Sequence, residues 1–397
     1  MKSKSILIIA LSARPFVKAA KRAGYRVTAI DAFADQQTVD LADKTIVIDY
    51  NEYGFNADAL LTAVSALELS QYAGFVYGSG FDAQPELLQQ LANLLPLIGN
   101  TPLTVSAVKT ASSFFAALNA LDLLFPEINH QLSNADIKAT HLQKFAGGCG
   151  GTHIRFADID SELTPNHYYQ QYVKGRSVSL LFIANGEEVN VIGFNEQWLS
   201  PTLDKPFQYG GAVGHVSLAQ KTQQQLIDAA IKLTKKFGLI GLNSLDAVIQ
   251  NSATQDDLVY VLEINPRLSA TFDLYDDAEF NLFDLHLDAC LKKSKFNSQF
   301  YSALQAVKTS KAHAIVYAAS DIQVSASFYW SDWVVDTPHF PTKHLATRFE
   351  TIKILANQPI CTVTAYASQA EGSKQLAQTR AKIVVKMLQA QNSNYGN

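Results

Sequence analysis

The composition is that of an ordinary globular protein with more than one domain. The chain has 397 residues, of which 48% are hydrophobic and 17% charged, a balance that argues against disorder and leaves material for several cores. Thirty-two Lys and Arg residues against 36 Asp and Glu residues give a net charge of −4, which argues against a dedicated nucleic-acid-binding protein. The three cysteines are too few for a disulfide framework, and no apolar stretch is long enough to cross a bilayer. We therefore expect a cytoplasmic protein with neither a nucleic-acid nor a membrane partner.

The first hundred residues alternate predicted strands and helices. Strands are expected at 6–10, 26–30, 45–49 and 75–77, with helices at 15–23, 57–67 and 83–94. Repeated strand–helix–strand units predict a parallel, Rossmann-like sheet. The turn after the first strand contains no glycine, so the dinucleotide-binding fingerprint is missing. Asp31, at the end of the second strand, is interpreted as a strand-end carboxylate.

From about residue 140 the pattern changes to α+β. The Asn185-Gly186 pair between apolar runs predicts a hairpin turn. An amphipathic helix is expected at 220–237, ended by Gly238. Two adjacent strands at 244–249 and 258–264 follow. The last part predicts, in chain order, strands at 314–318 and 360–365 and a helix at 369–390.

A glycine-rich turn follows a strand that ends near Lys144. Its glycines are Gly147, Gly148, Gly150 and Gly151. Such a turn lets several backbone N–H groups face one anion, and a neighbouring lysine adds positive charge. A phosphate cradle and a simple surface hairpin are both compatible with this segment.

Acidic and amide side chains lie on the two adjacent strands. Glu263 interrupts an apolar strand that continues into Asn265, Pro266 and Arg267, and a hairpin would place Asp246 beside Glu263. Two carboxylates and an amide oxygen are hard ligands that suit Mg²⁺, and Arg267 could then face a phosphoryl group. The alternative is a buried salt bridge between Arg267 and one of the two carboxylates.

A third segment, 169–179, reads as a strand, a short turn at Gly175 and another strand. Taken in this order, the three segments resemble the ATP-grasp superfamily, most specifically through residues 263–267. The resemblance implies an α/β plus α+β chain: a Rossmann-like pre-ATP-grasp domain followed by a two-lobed ATP-grasp fold. The implied divisions are a pre-ATP-grasp domain (1–100), a first lobe (101–175), a second lobe with the metal site (176–310) and a C-terminal α/β extension (311–397).

The resemblance also implies roles for individual residues, with ATP and Mg²⁺ bound between the lobes. Lys109, Lys144 and the glycines Gly147, Gly148, Gly150 and Gly151 would hold the phosphates. The segment containing Gln170, Gln171 and Val173 would bind adenine, largely through backbone groups of Gln171 and Val173. The metal ligands would be Asp246, Glu263 and Asn265. Arg267 and Lys144 would be the catalytic cations.

Three further segments narrow the resemblance to one branch of the superfamily. Residues 207–212 look like those of the carboxylate–amine ligases, and residues 333–338 and 359–363 are similar to proteins of tetrahydromethanopterin and methanofuran pathways, a branch that includes a tyramine–glutamate ligase. The implied function is an ATP-dependent ligase that forms an acyl phosphate and releases ADP and phosphate, joining glutamate to an aromatic amine in C1-cofactor biosynthesis. Its partners would be small carboxylates and amines, and a homodimer is compatible with it. A carboxylating enzyme that uses bicarbonate and a nucleotide-binding module without turnover are the alternatives.

Overall fold

The computed structural model describes residues 4–129, 131, 140–158, 165–251, 256–277, 279–292, 309–340 and 351–395. The strands of these residues are β1 (Ser5–Ala10), β2 (Arg26–Asp31), β3 (Lys44–Val47), β4 (Tyr50–Asn51), β5 (Gly54–Phe55), β6 (Tyr72–Tyr77), β7 (Ile128–Asn129), β8 (His141–Phe145), β9 (Ile154–Phe156), β10 (His167–Gln171), β11 (Arg176–Asn185), β12 (Val189–Leu199), β13 (Tyr209–Val213), β14 (Ile240–Gln250), β15 (Leu258–Asn265), β16 (Ser310–Tyr317), β17 (Ile322–Ser325), β18 (Val334–Val335), β19 (Thr351–Ile354) and β20 (Pro359–Ala367). The α-helices are α1 (Arg14–Arg22), α2 (Gln36–Leu41), α3 (Ala57–Ser65), α4 (Pro85–Leu94), α5 (Pro102–Lys109), α6 (Ala111–Ala120), α7 (Gln220–Phe237), α8 (Leu282–Lys292) and α9 (Ala370–Tyr395), and short 3₁₀ helices span Leu69–Gln71 and Ala270–Leu274.

The N-terminal part is the parallel sheet that the alternating pattern predicts. Its strands lie in the order β3-β2-β1-β6, and each neighbouring pair is parallel. β1 is buried along almost its whole length, as a strand covered on both faces requires. The Asp31 carboxylate accepts hydrogen bonds from the backbone N–H groups of Ala13, Phe33 and Ala34, each at 2.6 Å. This strand-end carboxylate therefore ties together the two turns at that edge of the sheet.

A second, antiparallel sheet carries the glycine-rich turn. Its order is β7-β10-β8-β9. In it β8 pairs with β10 so that Lys144 lies opposite Tyr168. The helices α5 and α6 precede this sheet, and Phe114 and Phe115 of α6 are buried in the same core as Tyr168.

The central element is an eight-stranded sheet in the order β15-β14-β11-β12-β13-β16-β20-β18. β11 and β12 form the predicted hairpin around Asn185-Gly186, and Gly186 has a φ of +97°. The helix α7 has the predicted bounds, and Gly238 ends it in the left-handed conformation at φ +64°. Leu226, Ala230 and Leu233 of α7 pack against one face of the sheet. The α/β plus α+β prediction is therefore confirmed.

The C-terminal strands β16, β20 and β18 continue the same eight-stranded sheet, and α9 packs on them through Ala377, Val384 and Leu388. The division into four domains stays a prediction. None of the described helices is long and apolar enough to span a membrane.

Candidate active site

The strand pairing brings two carboxylates together. β14 and β15 are antiparallel, with Asp246 directly opposite Glu263 and a register shift immediately after Asp246. Burial, and then the negative charge of Glu263, raise the pKa of Asp246 above its ordinary value. Burial would also raise the pKa of Glu263, but the positive charges of Lys109 and Lys144 outweigh it and hold that pKa below its ordinary value. The pair therefore combines a carboxyl group that holds its proton more tightly, Asp246, with a carboxylate that stays ionised beside two lysines, Glu263.

Lys109, at the end of α5, joins this pair to the following asparagine. Its Nζ donates to Glu263 Oε2 at 3.1 Å and to Asn265 Oδ1 at 2.9 Å. A third carboxylate, Asp82, approaches the same ammonium group at 3.3 Å. Burial would lower the pKa of Lys109, but Glu263 and Asp82 raise it, so this buried lysine stays charged.

Arg267 is buried beside this network. Its Nε donates to Asp82 Oδ2 at 2.7 Å, and its Nη2 donates to Asn265 Oδ1 at 3.3 Å. The buried ion pair that was the alternative interpretation of Arg267 therefore exists, but among the described residues it is formed with Asp82 and not with Asp246 or Glu263. Asp82 belongs to the loop after β6, so the N-terminal sheet supplies part of the site.

Lys144 approaches from β8 of the antiparallel sheet β7-β10-β8-β9. Its Nζ donates to Gln170 Oε1 at 3.1 Å on the neighbouring strand. Burial lowers the pKa of Lys144, and the charge of Glu263 only partly counteracts this effect. Among the described residues no carboxylate pairs directly with this buried lysine, which suits a residue whose partner is an anionic ligand.

The glycine-rich turn packs tightly between two parts of the chain. Gly147 has a φ of +84°, and a Cβ there would lie 2.6 Å from the carbonyl oxygen of Asp82. Gly151 has a φ of +71°, and a Cβ there would lie 1.9 Å from the carbonyl oxygen of Phe207. Gly150 accepts a hydrogen bond from the backbone N–H of Tyr209 at 2.9 Å. The turn therefore closes against both the N-terminal sheet and the central sheet.

The predicted adenine segment lies at the end of β10. The side chain of Gln170 is buried, and its Nε2 is a buried donor with no hydrogen-bond partner. The backbone N–H of Gln171 donates to Glu127 O at 2.8 Å, so a base that used this group would replace that bond. Val173 is half-buried, two residues beyond the strand.

A narrow cavity of about 20 Å³ lies between the two lysines, and Lys109, Lys144, His153 and Glu263 form its polar side. Its apolar side is lined by Val108, Ala111, Phe114, Phe115, Tyr168 and Leu262. The volume is roughly that of one water molecule, whereas pockets for ligands of drug size occupy about 300–1,000 Å³. This cavity alone is therefore too small to hold a nucleotide.

The donor set fits a hard divalent cation. The described residues hold no cluster of three or more His, Cys, Asp or Glu side chains that could bind a metal. The candidate ligands are instead two adjacent carboxylates and an amide, with Asn265 Nδ2 donating to Asp246 Oδ2 at 3.0 Å. Burial, and then the charge of Glu263, raise the pKa of Asp246, and a bound cation would lower it again. Asp246, Glu263 and Asn265 therefore fit Mg²⁺, which prefers oxygen ligands.

The sequence interpretation missed three residues of this site. Asp82 pairs with both Lys109 and Arg267, and its position after the carboxyl end of a parallel strand was an available signal. Asn100 donates to Pro266 O at 3.0 Å and accepts from the backbone N–H of Ile240 at 2.8 Å. Gln197 donates to Asp246 Oδ1 at 3.3 Å. No sequence pattern marks these last two.

Comparison with known proteins finds similarity in the region that contains the candidate site. A family model of the ATP-grasp domain matches residues 112–271, which include Lys144, the glycine turn, Asp246 and Arg267. The tyramine–L-glutamate ligase of Methanocaldococcus fervens is 27% identical over 125 residues, which cover 31% of this chain and 36% of that protein. The chain spans about a third of that relative and 24% of another curated relative.

Solved structures with a similar fold cover nearly the whole chain. An L-amino acid ligase from Bacillus licheniformis superposes with a TM-score of 0.65 at 14% identity, covering 96% of this chain and 97% of that one. The biotin carboxylase domain dimer of the Hydrogenobacter thermophilus 2-oxoglutarate carboxylase, solved with MgADP, ADP and bicarbonate, gives a TM-score of 0.70 at 11% identity, covering 96% and 90%. At these identities the likeness concerns the fold. Residues 112–271 are in addition similar to the ATP-grasp domain by the family match.

Proposed function

We propose that the protein is an ATP-dependent carboxylate–amine ligase. The observation that carries the proposal is the convergence of Lys109, Lys144, Arg267 and the Asp246–Glu263 pair on one site from separate segments. Buried cations beside paired carboxylates are the arrangement that transfer of a phosphoryl group requires, because such catalysis rests mainly on positioning and on charge stabilisation.

In the first step a carboxylate oxygen of the substrate attacks the γ-phosphorus of ATP. The bond between that phosphorus and the β–γ bridging oxygen breaks, which yields an acyl phosphate and ADP. Lys144 and Arg267 stabilise the charge that develops on the transferred group, and Lys109 holds Glu263 and Asn265 in position. Mg²⁺, held by Asp246, Glu263 and Asn265, would offset phosphate charge.

In the second step the neutral amine attacks the carbonyl carbon of the acyl phosphate. The carbon–oxygen bond to phosphate breaks, phosphate leaves, and the amine loses a proton as the amide forms. The closed glycine turn, packed on Phe207 and Asp82, would keep water away from the acyl phosphate.

We further propose glutamate as the carboxylate and an aromatic amine such as tyramine as the acceptor, in the biosynthesis of a C1 cofactor. The likeness to the M. fervens ligase supports this choice. Phe33 and Tyr50 add support, because they form an edge-to-face pair at 5.4 Å and remain 44% and 43% exposed. Tyr53, three residues after Tyr50, packs edge-to-face on Phe145 at 5.1 Å, and Phe145 directly precedes the glycine turn, so this aromatic segment lies near the turn. We also propose a cytoplasmic location and a homodimer, the latter by analogy with the neighbour whose structure is described as a dimer.

A carboxylating reaction with bicarbonate as the substrate is the second candidate. The carboxylase neighbour, solved with bicarbonate, favours it. The two candidates differ in the acceptor and share the phosphoryl-transfer site.

Measurement of ADP release tests the proposal. The protein is incubated with Mg²⁺-ATP and L-glutamate, with and without tyramine and a panel of other amines, and separately with bicarbonate. We expect ADP only when a carboxylate and an amine are both present, with one amide formed per ADP. Release that requires bicarbonate and no amine would instead establish the carboxylating reaction. Thermal stabilisation by Mg²⁺-ATP without any ADP release would indicate a binding module.

A pair of arginine variants links turnover to the site. Arg267→Ala should lower kcat by about 10²–10³, because its interaction strengthens as charge develops in the transfer. Arg26→Ala, which removes an exposed arginine at the start of β2, should keep the parental rate. Equal rates for both variants would mean that the site is misplaced.

A further inference from the structure

A second cavity, of about 450 Å³, lies apart from the candidate active site. Its volume falls within the range of small-molecule sites. Side chains from the central sheet and α9 line it, chiefly Arg176, Glu196, His215, Ser310, Lys374 and Glu371. The cavity is therefore built from charged and polar groups rather than from an apolar surface.

Strand register places this cavity on the opposite face of the sheet from Asp246. Asp246 lies opposite Ser179, and Ser179 lies opposite Asn195, so these three side chains share one face. Glu196 is the next residue along β12 and therefore faces the other side. Arg176 lies three residues before Ser179 in β11, so its side chain is on the opposite face from Ser179 and on the same face as Glu196. An occupant of this cavity would not contact the acyl-phosphate site.

Two cations in the cavity share one carboxylate. Glu196 accepts from Arg176 Nε and, at 2.6 Å, from Lys374 Nζ. Burial would raise the pKa of Glu196, but Lys374 and Arg176 outweigh it and lower that pKa, so the carboxylate is ionised. This group of three side chains has a net charge of +1 and leaves guanidinium and ammonium donors beyond those that Glu196 uses. Such donors suit a carboxylate or phosphate group.

The remaining lining combines a helix start that favours an anion with a neutral histidine and one further carboxylate. Residues 369–371 lie at the start of α9, where backbone N–H groups and the helix dipole favour an anion. Burial lowers the pKa of His215, so its imidazole is neutral and offers hydrogen bonds rather than charge. The exposed Glu371 accepts from Gln375 Nε2 at 2.7 Å on the same helix and keeps its negative charge, so an anion would bind on the side of Arg176 and Lys374.

We propose that this cavity is a binding site for a small metabolite that bears a carboxylate or phosphate group, held by Arg176 and Lys374 and distinct from the reaction's own substrates. The site has a direct route to the candidate active site. Gln197, the residue after Glu196, donates to Asp246 Oδ1 at 3.3 Å on the other face of β12. A ligand here is therefore positioned as an effector rather than as a reactant.

Calorimetric titration of the full chain tests this site. The probes are inorganic phosphate and succinate, each titrated at constant ionic strength set with chloride. We expect one saturable site per chain for at least one probe, and the stronger probe identifies the preferred head group. Lys374→Met should weaken binding at least tenfold. Lys382→Met, which removes an exposed lysine from the same helix, should bind like the parent.

A variant that should bind the probe more tightly distinguishes a change in binding from a loss of folding. Glu196→Gln removes the carboxylate that competes for Arg176 and Lys374, so it should bind the probe several-fold more tightly, which unfolding cannot mimic. Lys144→Met should leave this binding unchanged. The proposal is overturned if neither probe binds, if the Lys374 and Lys382 variants behave alike, if Glu196→Gln weakens binding, or if only Lys144→Met abolishes it. That last result would place the anion in the candidate active site. All of these outcomes are independent of whether the protein turns over ATP.

Discussion

At the scale of single residues, Asp82 is the side chain on which two buried cations depend. Its oxygens lie 3.3 Å from Lys109 Nζ and 2.7 Å from Arg267 Nε, and its side chain is 3% exposed. Lys109 has a second carboxylate partner in Glu263, whereas the described ion pair of Arg267 is with Asp82. Loss of Asp82 would leave a guanidinium group buried without compensation, a costly state for a charge.

We therefore predict that Asp82→Asn lowers the free energy of unfolding by about 3–5 kcal/mol. Urea unfolding followed by circular dichroism measures this change. Asp49→Asn is the matched control, since it replaces an exposed aspartate of the same N-terminal region and should unfold like the parent. Equal stability of the two variants would show that Asp82 does not compensate the buried cations.

At the scale of structural elements, the glycine turn offers a matched comparison. Gly150 and Gly151 both adopt the left-handed conformation, at φ +66° and +71°. A Cβ on Gly150 would meet no atom within 4 Å, whereas a Cβ on Gly151 would overlap the carbonyl of Phe207. Both alanine variants therefore carry a similar backbone cost of about 1–2 kcal/mol, and they differ in the contact with the central sheet.

We predict that Gly151→Ala lowers the rate of ADP release at least tenfold relative to Gly150→Ala, because the turn can no longer close against Phe207. Urea unfolding of both variants should show the larger destabilisation for Gly151→Ala as well, and that measurement does not depend on activity. If the two variants match in both measurements, packing on Phe207 has no part in closing the turn.

At the scale of the whole molecule, a buried ion network joins three distant parts of the chain. Asp273, in the 3₁₀ helix after β15, lies 3.2 Å from Arg14 Nη2 of α1 and 3.2 Å from Lys311 Nζ of β16. Arg14 also pairs with Asp336. Burial would raise the pKa of Asp273, but Arg14 and Lys311 hold it well below its ordinary value. The network therefore attaches the N-terminal sheet to the central sheet.

We predict that Asp273→Asn destabilises the protein by about 3–5 kcal/mol at pH 7, since two buried cations lose a shared partner. The folded pKa of Asp273 lies below the unfolded value of about 3.9, so its contribution is complete above that pH and declines as the pH falls toward the folded pKa. The stability gap between parent and variant should thus be constant from pH 5 to 7 and narrow below about pH 4.

Urea unfolding of both proteins across this pH range measures the gap. Asp321→Asn is the control, because it breaks the exposed pair with Lys353 and should change stability little. A gap that widens on acidification would contradict the assignment of the depressed pKa to Asp273.

The sequence by itself determined the features that depend on local spacing. The parallel N-terminal strands, the Asn185-Gly186 hairpin and the helix that ends at Gly238 each follow from hydrophobic periodicity and turn chemistry within a few residues. The pairing of Asp246 with Glu263 also followed from the sequence, since adjacent strands joined by a short connection pair with each other. The resemblance to the ATP-grasp superfamily was likewise drawn from these segments and their order.

Only the tertiary structure decided which distant charges meet. Asp82 and Arg267 are 185 positions apart, and Arg14 and Asp273 are 259 apart, so no local pattern links them. No local pattern predicts the second cavity either, since its walls come from the central sheet and from α9. A buried charge requires a partner, but its own sequence neighbourhood does not specify which one. Tertiary packing selects that partner, because it determines which side chains become buried next to each other.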